Sequence, residues 1–439
     1  MVKPVVFGDN LASAVFAFER IRAGLDVSIA TNGAITTKFS GVTFGDFRVD
    51  RGMVLIEPER REIAKTGIEN YNGEYRSNSI QYLGSVADWF QEAGLQFEVT
   101  KVETYFRGQT MMDFFVSDSL EIFGQFTPEE ISAVQKEIEA SRGWFDSENH
   151  PKSKNGNSWY ASTKYVEVAH RIFGETFFNL VLAPYLYKLF GREYGELVAS
   201  EHRSAWVPIF YPESLLLGVS GRETDIDEKV FIYPANQGFA QFMHDLELTL
   251  EARAPKYPIN LDDDLPINLN SLFADETAVF FGSPKKIRSM ETFDSRACSG
   301  KTVYIGAKSL ISRTIFIVDS DIDAFRFNVR PGSHVSDGYV SVEFGSSALS
   351  FGDDYLIKQA IHLSEKCCVE VDPGTAKVFD SKFPLRIRQS GSISSDIQGV
   401  IDELRSRSVF GYPICEINGA INDQICAALG ALSDLKNLG

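Results

Sequence analysis

The chain opens with a short apolar run of strand type, Pro4 to Phe7, followed by the turn Gly8-Asp9-Asn10. Leu11, Val15, Phe18 and Ile21 then recur at helical spacing up to Gly24, and a second apolar run, Leu25 to Ala30, follows at once. This pattern predicts strand, tight turn, helix and strand within about thirty residues, the βαβ unit on which a dinucleotide rests its pyrophosphate at the helix N-terminus. From about Glu74 the chain changes character. Ile80 to Glu92 has helical periodicity, Thr127-Pro128-Glu129-Glu130 is a capped helix start continued by Ile131, Val134 and Ile138, and Tyr165 to Phe178 resumes helix, with Pro184 limiting the next element. The polar stretch Ser147 to Asn157 between them reads as an exposed loop.

Phe231-Ile232-Tyr233-Pro234 leads into Gly238-Phe239 and a helical run through Phe242, Leu246 and Leu250. The segments around Ile259, Val279 to Gly282, Val303 to Ile305, Thr314 to Val318, Phe325 to Val329 and Tyr339 to Phe344 are β-rich, several with alternating polarity, and belong to one or two sheets. The chain closes on its opening theme: a strand-like Ser408 to Tyr412, the turn Glu416-Ile417-Asn418-Gly419, then a helix with Ile421, Ile425, Leu429 and Leu432 on one face.

A length of 439 residues suits two or three domains, some interleaved. Hydrophobic residues at 44% can bury a sizeable core, and a formal charge of −17 argues against a nucleic-acid or anionic-membrane partner, each of which needs a basic patch. No segment has the apolar length of a membrane span, and no leader pattern precedes Pro4. Five cysteines without CxxC spacing suit reduced thiols in a cytoplasm, with the adjacent Cys367 and Cys368 expected to be buried. Six histidines form no HxxxH or HxH pair, so no metal site is expected, and no hydrolase elbow or Walker loop appears.

The GxGxxG fingerprint needs its first glycine for the turn, its second for phosphate approach and its third for close packing of helix on strand. The corresponding positions are Gly8, Asn10 and Ser13, so an amide side chain stands where the pyrophosphate would lie. The acidic residue expected to hold a ribose hydroxyl falls at Thr31 or Asn32.

The first βαβ unit, the strand-turn Val49-Asp50-Arg51-Gly52, the helical insertion, the Tyr-Pro…Gly-Phe segment and the terminal strand-turn-helix together resemble the flavoproteins similar to UDP-galactopyranose mutase and the protoporphyrinogen or amine oxidases. Ala183-Pro184-Tyr185-Leu186-Tyr187-Lys188-Leu189-Phe190-Gly191, then Glu196-Leu197 and Arg203, resembles the mutases' Tyr-x-x-Lys-x-Trp-Gly…Glu-Leu…Arg segment. The resemblance implies an α/β fold: a discontinuous Rossmann-like FAD/NAD(P)-binding domain (1–75, 225–290 and 385–439), a mainly helical insertion (76–205) and an antiparallel-sheet substrate domain (206–224 and 291–384). It implies FAD as cofactor, with the pyrophosphate at Gly8, Asn10, Leu11 and Ala12, the ribose at Thr31, the ring near Gly411, Asn418, Gly419, Ala420 and Ile421, and Gly52 as a further cofactor-binding position. The family's paired glycines fall at Thr37-Lys38, and Gly52-Met53-Val54-Leu55 replaces the mutases' Gly-Ala-His, so imidazole chemistry beside a flavin is not expected.

The same resemblance points to Arg203, Arg326, Tyr185 and Tyr187 as substrate-binding. An arginine fork suits a diphosphate or carboxylate, and a tyrosine offers stacking and a hydroxyl. The alternative is that each arginine, Arg330 included, pairs with a neighbouring aspartate on the surface, and that the tyrosines are core. Two functions follow. One is a flavin-dependent oxidoreductase or mutase acting on a nucleotide sugar or other small polar substrate. The other is an FAD-free binding protein, or cofactor-independent relative, that retains the flavoprotein fold. Oligomeric state is not readable from the residues.

Overall fold

The computed structural model describes residues 4–8, 10–31, 39, 41–45, 47–56, 85–146, 163–199, 202, 205–210, 212–221, 231–235, 238–258, 277–281, 293–309, 311–332, 338–389, 409–411 and 421–436. In chain order the elements are β1 (Pro4–Phe7), α1 (Leu11–Arg22), β2 (Ser28–Thr31), β3 (Val42–Phe44), β4 (Phe47–Val49), α2 (Ser85–Glu92), β5 (Phe97–Phe106), β6 (Gln109–Met112), α3 (Pro128–Asp146), α4 (Tyr165–Phe177), α5 (Ala183–Phe190) and α6 (Pro212–Val219). There follow β7 (Phe231–Pro234), α7 (Gly238–Arg253), β8 (Lys256–Pro258), β9 (Thr277–Phe280), β10 (Phe293–Lys308), β11 (Arg313–Ile317), β12 (Ala324–Arg330), β13 (Gly338–Phe344), α8 (Asp353–Lys366), β14 (Glu370–Gln389), β15 (Val409–Gly411) and α9 (Ile421–Lys436).

A parallel five-stranded sheet runs in the order β15-β9-β1-β2-β8. Counted along the chain this is 3-2-1-4-5, the order of a dinucleotide-binding sheet, with its topological switch between β1 and β9. Val6, Ile29 and Val279 are fully or almost fully buried in its core, where α1, α7 and α9 contribute Leu11, Val15, Met243, Leu250, Ile425 and Ala428. Continuous burial on both faces explains why these strands read as unbroken apolar runs.

The second sheet has eight strands, β14-β10-β13-β12-β11-β5-β6 with β7 also on β5. It is antiparallel except where β11 meets β5 in parallel. Within the expected mainly helical insertion, 76–205, β5 and β6 follow α2 and join this sheet. Their alternation is interrupted by Thr100, Glu103 and Thr104, buried polar residues that blur the period-two signal. One face of the sheet, with Ile315, Phe327, Val329, Val340 and Val342, is apolar and covered by Leu356, Ala360 and Leu363 of α8. The other is polar and faces inward. α3 to α6 form an aromatic-rich layer beside it, with Phe114, Phe173, Phe177 and Phe210 in ring contact.

α4 ends in a kink at Gly174, whose φ of 81° a side chain rarely adopts. A Cβ there would meet Glu137 Oε2 at 2.3 Å, and Glu137 instead accepts from the Thr176 amide at 2.9 Å. The π-helical turn Phe178–Leu182 follows, so the helix predicted as Tyr165 to Phe178 is broken where it passes into α5.

Candidate functional site

α1 starts from Asn10, whose extended backbone makes it the N-cap. Its Oδ1 accepts from the Ser13 amide at 3.1 Å. Its Nδ2 donates to the carbonyl of Phe281, just past the end of β9. The Asn10 amide therefore spans the crevice between β1 and β9, the place where an open α/β sheet receives its ligand. Gly8 allows that closure: at φ +136° a Cβ would lie 2.1 Å from the Phe281 carbonyl oxygen and 2.6 Å from Ser13 Oγ. In this chain the glycine lets two strand ends meet.

The first amide of α1 is occupied from the far end of the chain. Leu11 N–H donates to Oε1 of Gln424, in the first turn of α9, at 3.0 Å. Leu11, Ala12 and Ser13 are fully buried, and Gln424 is 2% exposed. A diphosphate at a helix N-terminus draws on these amides. With Leu11 and Ser13 already bonded inside the chain, the residues do not fit FAD laid against this turn. Gln424 was absent from the residues singled out in the sequence, because nothing local marks a helix glutamine as the partner of an amide 413 positions away.

Of the other expected cofactor positions, Thr31 ends β2, Gly411 ends β15 and Ile421 begins α9. Asn418, Gly419 and Ala420 lie outside the described residues, as do Thr37, Lys38 and Arg203. Gly52, at φ +80°, points its bare Cα toward the second sheet. A Cβ there would be 3.7 Å from Glu343 Oε2 and 3.9 Å from Arg326 Nη2.

The inward face of that sheet holds the second constellation. Arg326 and Glu343 are cross-strand partners of β12 and β13. They form a bidentate pair, Nε to Oε1 at 2.7 Å and Nη2 to Oε2 at 2.6 Å, with the two side chains 1% and 0% exposed. Asn328 links Glu343 to Ser341 and Thr314, and Arg330 donates to Ser312, Thr314 and the Arg313 carbonyl. The alternative that Arg326 and Arg330 pair with surface aspartates is thus corrected: both are buried, and among the described residues Arg326 pairs with Glu343 while Arg330 donates to Ser312, Thr314 and the Arg313 carbonyl. Period-two alternation put them on a polar face, and the packing of two layers covered that face.

Above the network stands Asp50. Its carboxylate accepts from the Ala240 amide at 2.7 Å, in the first turn of α7, and from the hydroxyl of Tyr233, while its backbone amide donates to Tyr339 Oη at 3.1 Å. Tyr304 Oη donates to the Asp50 carbonyl at 2.9 Å. Burial pushes the Asp50 carboxyl above its usual range, opposed by the Tyr233 hydrogen bond and by the charge of Arg330. A carboxylate at the N-terminus of α7 thereby ties the parallel-sheet unit to β10 and β13.

Tyr185 and Tyr187 part company. The Tyr185 ring is fully buried against Phe115, Phe316 and Phe325, and its hydroxyl, driven upward in pKa by burial, has no hydrogen-bond partner among the described residues. Tyr187 is 47% exposed, on the opposite side of α5. Lys188, from the same motif, is buried and donates to the carbonyls of Ile317 and Asp319 at 3.0 and 2.6 Å; burial lowers its pKa to about 7 against the pull of Asp319, Asp321 and Asp323. It fastens α5 to the β11–β12 connection. Of the adjacent cysteines, Cys367 is buried as expected, whereas Cys368 is exposed. Among the described residues no group of three or more His, Cys, Asp or Glu could hold a metal ion, and no helix is long and apolar enough to cross a membrane.

No protein-family model matches the sequence, and no curated protein matches it. Solved structures do match in fold. Reduced UDP-galactopyranose mutase superposes with a TM-score of 0.60 at 12% identity, over 100% of this chain and 94% of that one. Cyclohexylamine oxidase from Brevibacterium oxydans IH-35A gives 0.54 at 12% identity, over 99% of both chains. The chain has the fold of these two proteins over its full length.

Proposed function

We propose that this chain is a ligand-binding protein that has kept the flavoprotein fold and works without FAD. One observation carries the reading: the N-terminus of α1 is closed from within, Leu11 by Gln424 and Ser13 by Asn10, with Asn10 bridging to Phe281. A diphosphate laid there would strip the side-chain amides of buried Gln424 and half-buried Asn10 of their partners, and a buried amide without a partner is costly.

A second reading, a flavin-dependent oxidoreductase or mutase acting on a nucleotide sugar or another small polar substrate, draws support from the shared fold and from Gly52 facing Arg326 and Glu343. If FAD were bound it would supply the redox chemistry, and the chain would supply only orientation.

A visible absorption spectrum of the purified protein, followed by thermal melts with added FAD, separates the two. The expected result is a colourless protein with an unshifted melt, and uptake of FAD only by the N10G/Q424A double variant. A yellow preparation carrying one FAD per chain establishes the second reading instead.

A further inference from the structure

We infer that Arg326 and Tyr185 form the polar end of a small site for an uncharged carbonyl oxygen, closed over by Trp206 and Met53. The inference rests on the binding-protein reading above and names its class of ligand.

Three features converge on this spot. The register shift between Ala324 and Arg326 is a β-bulge in β12; the Arg326 guanidinium carbon lies 5.2 Å from the Phe325 ring centroid, and Phe325 in turn packs on Tyr185. Bulges re-aim side chains in this way. Arg326 spends Nε and Nη2 on Glu343, but its Nη1 has as partner the thioether of Met53 at 3.7 Å, a weak acceptor. The Tyr185 hydroxyl, buried and without a hydrogen-bond partner among the described residues, feels the charges of Arg326 and Glu343 ahead of that of Asp113. Two buried donors that lack an oxygen partner among the described residues therefore sit in one neighbourhood, where protein interiors normally satisfy every such group.

The charge balance selects the ligand. Glu343 already neutralises Arg326, so an anion entering here would lose its hydration, gain little net attraction and meet the Glu343 carboxylate. A carbonyl oxygen loses less on burial and can accept from Nη1 and Tyr185 Oη together. Gly52 leaves the approach free of a side chain, since its absent Cβ would stand 3.7 Å from Glu343 Oε2. Trp206 and Met53, both only partly buried, form the outer wall. The Trp206 ring lies 4.1 Å from the guanidinium carbon, and its φ of 57° is strained for a bulky residue. Such strain at a wall suits a residue that shifts to admit a ligand.

The test uses acetamide and acetate, which share a size and differ in charge, in saturation-transfer NMR on the full chain. Saturable acetamide binding is expected, with acetate weaker by about tenfold, the scale of one hydrogen bond to a charged group. Y185F, which removes one oxygen and keeps the ring, weakens acetamide about tenfold on the same ground, and E343Q reverses the preference toward acetate. Acetate binding as well as acetamide, no saturable acetamide signal, or an unchanged Y185F each overturns the inference; Y185F keeps the test decisive if E343Q does not fold. A colourless protein that ignores acetamide sinks this inference alone, whereas a yellow one sinks the reading on which it rests.

Discussion

Gln424 and Leu11, separated by 413 residues in the chain, meet in a buried hydrogen bond of 3.0 Å that joins the first turns of α9 and α1. Q424A leaves the Leu11 amide unsatisfied inside the core and is expected to lower stability by about 1–3 kcal/mol. Urea denaturation checks it; an unchanged midpoint would show that the bond contributes nothing.

Asp50 collects an amide of α7 and hydroxyls from β7 and β13. D50A strands all of these donors at once, and a loss of about 3–5 kcal/mol is expected, against about 1 kcal/mol for Y339F. Equal effects in the two variants would mean that the carboxylate is not the hub.

The buried Arg326–Glu343 pair should behave as an all-or-nothing unit. E343Q is expected to destabilise by about 3–5 kcal/mol, because it leaves a buried guanidinium uncompensated, while R326M/E343L recovers most of the loss. A double variant worse than E343Q would contradict this.

His202 is 3% exposed, donates from Nδ1–H to the Val207 carbonyl, and has its pKa lowered by burial to about 4. The unfolded chain takes up the proton first, near pH 6.5. Stability from this residue is therefore complete above about pH 6.5 and falls as pH drops toward 4, by at most about 3 kcal/mol. Denaturation series at pH 7.5, 6 and 5 on wild type and H202Q measure it, and parallel curves would remove the histidine from the account.

Cys368 caps α8 in the left-handed region, φ 57°, while Val369 N–H donates to the Ser364 carbonyl at 2.9 Å and Cys368 N–H to that of Glu365 at 3.0 Å. Glycine is the natural occupant of such a cap, and C368G is expected to add about 1 kcal/mol. Cys368 should also react with a thiol reagent well ahead of Cys367, which burial pushes up to about 12, and of Cys298. Mass spectrometry of the singly labelled protein reads this directly; prior labelling of Cys367 would refute the placement.

Local rules made part of the molecule legible. The βαβ opening and the helix starting at Pro128 follow from apolar spacing and from caps, and the Thr127–Glu130 capping box forms in both directions, at 2.8 and 3.3 Å. Asn10 was readable as an obstacle to phosphate, because the side chain sits in the loop itself. What the side chain does there, bridging to Phe281, depends on a strand 271 residues away. The polar face of β11 to β13 misled for a related reason. Alternation reports which residues share a face, but whether Arg326, Asn328 and Glu343 meet water or another layer is decided by the packing of distant segments, and here all three are buried.

The order of strands in the parallel sheet also bears on how the chain is made. β1, its central strand, is complete at Phe7, yet its neighbour β9 ends at Phe280 and the sheet's last strand in the chain, β15, starts at Val409. At translation speeds of about 5–20 residues per second, β1 waits roughly a quarter of a minute or longer for β9, and the amide of Leu11 waits longer still for Gln424. During that interval one edge of a strongly apolar nascent unit stays open, so shielding by chaperones during synthesis should govern the yield of this protein more than its final stability does.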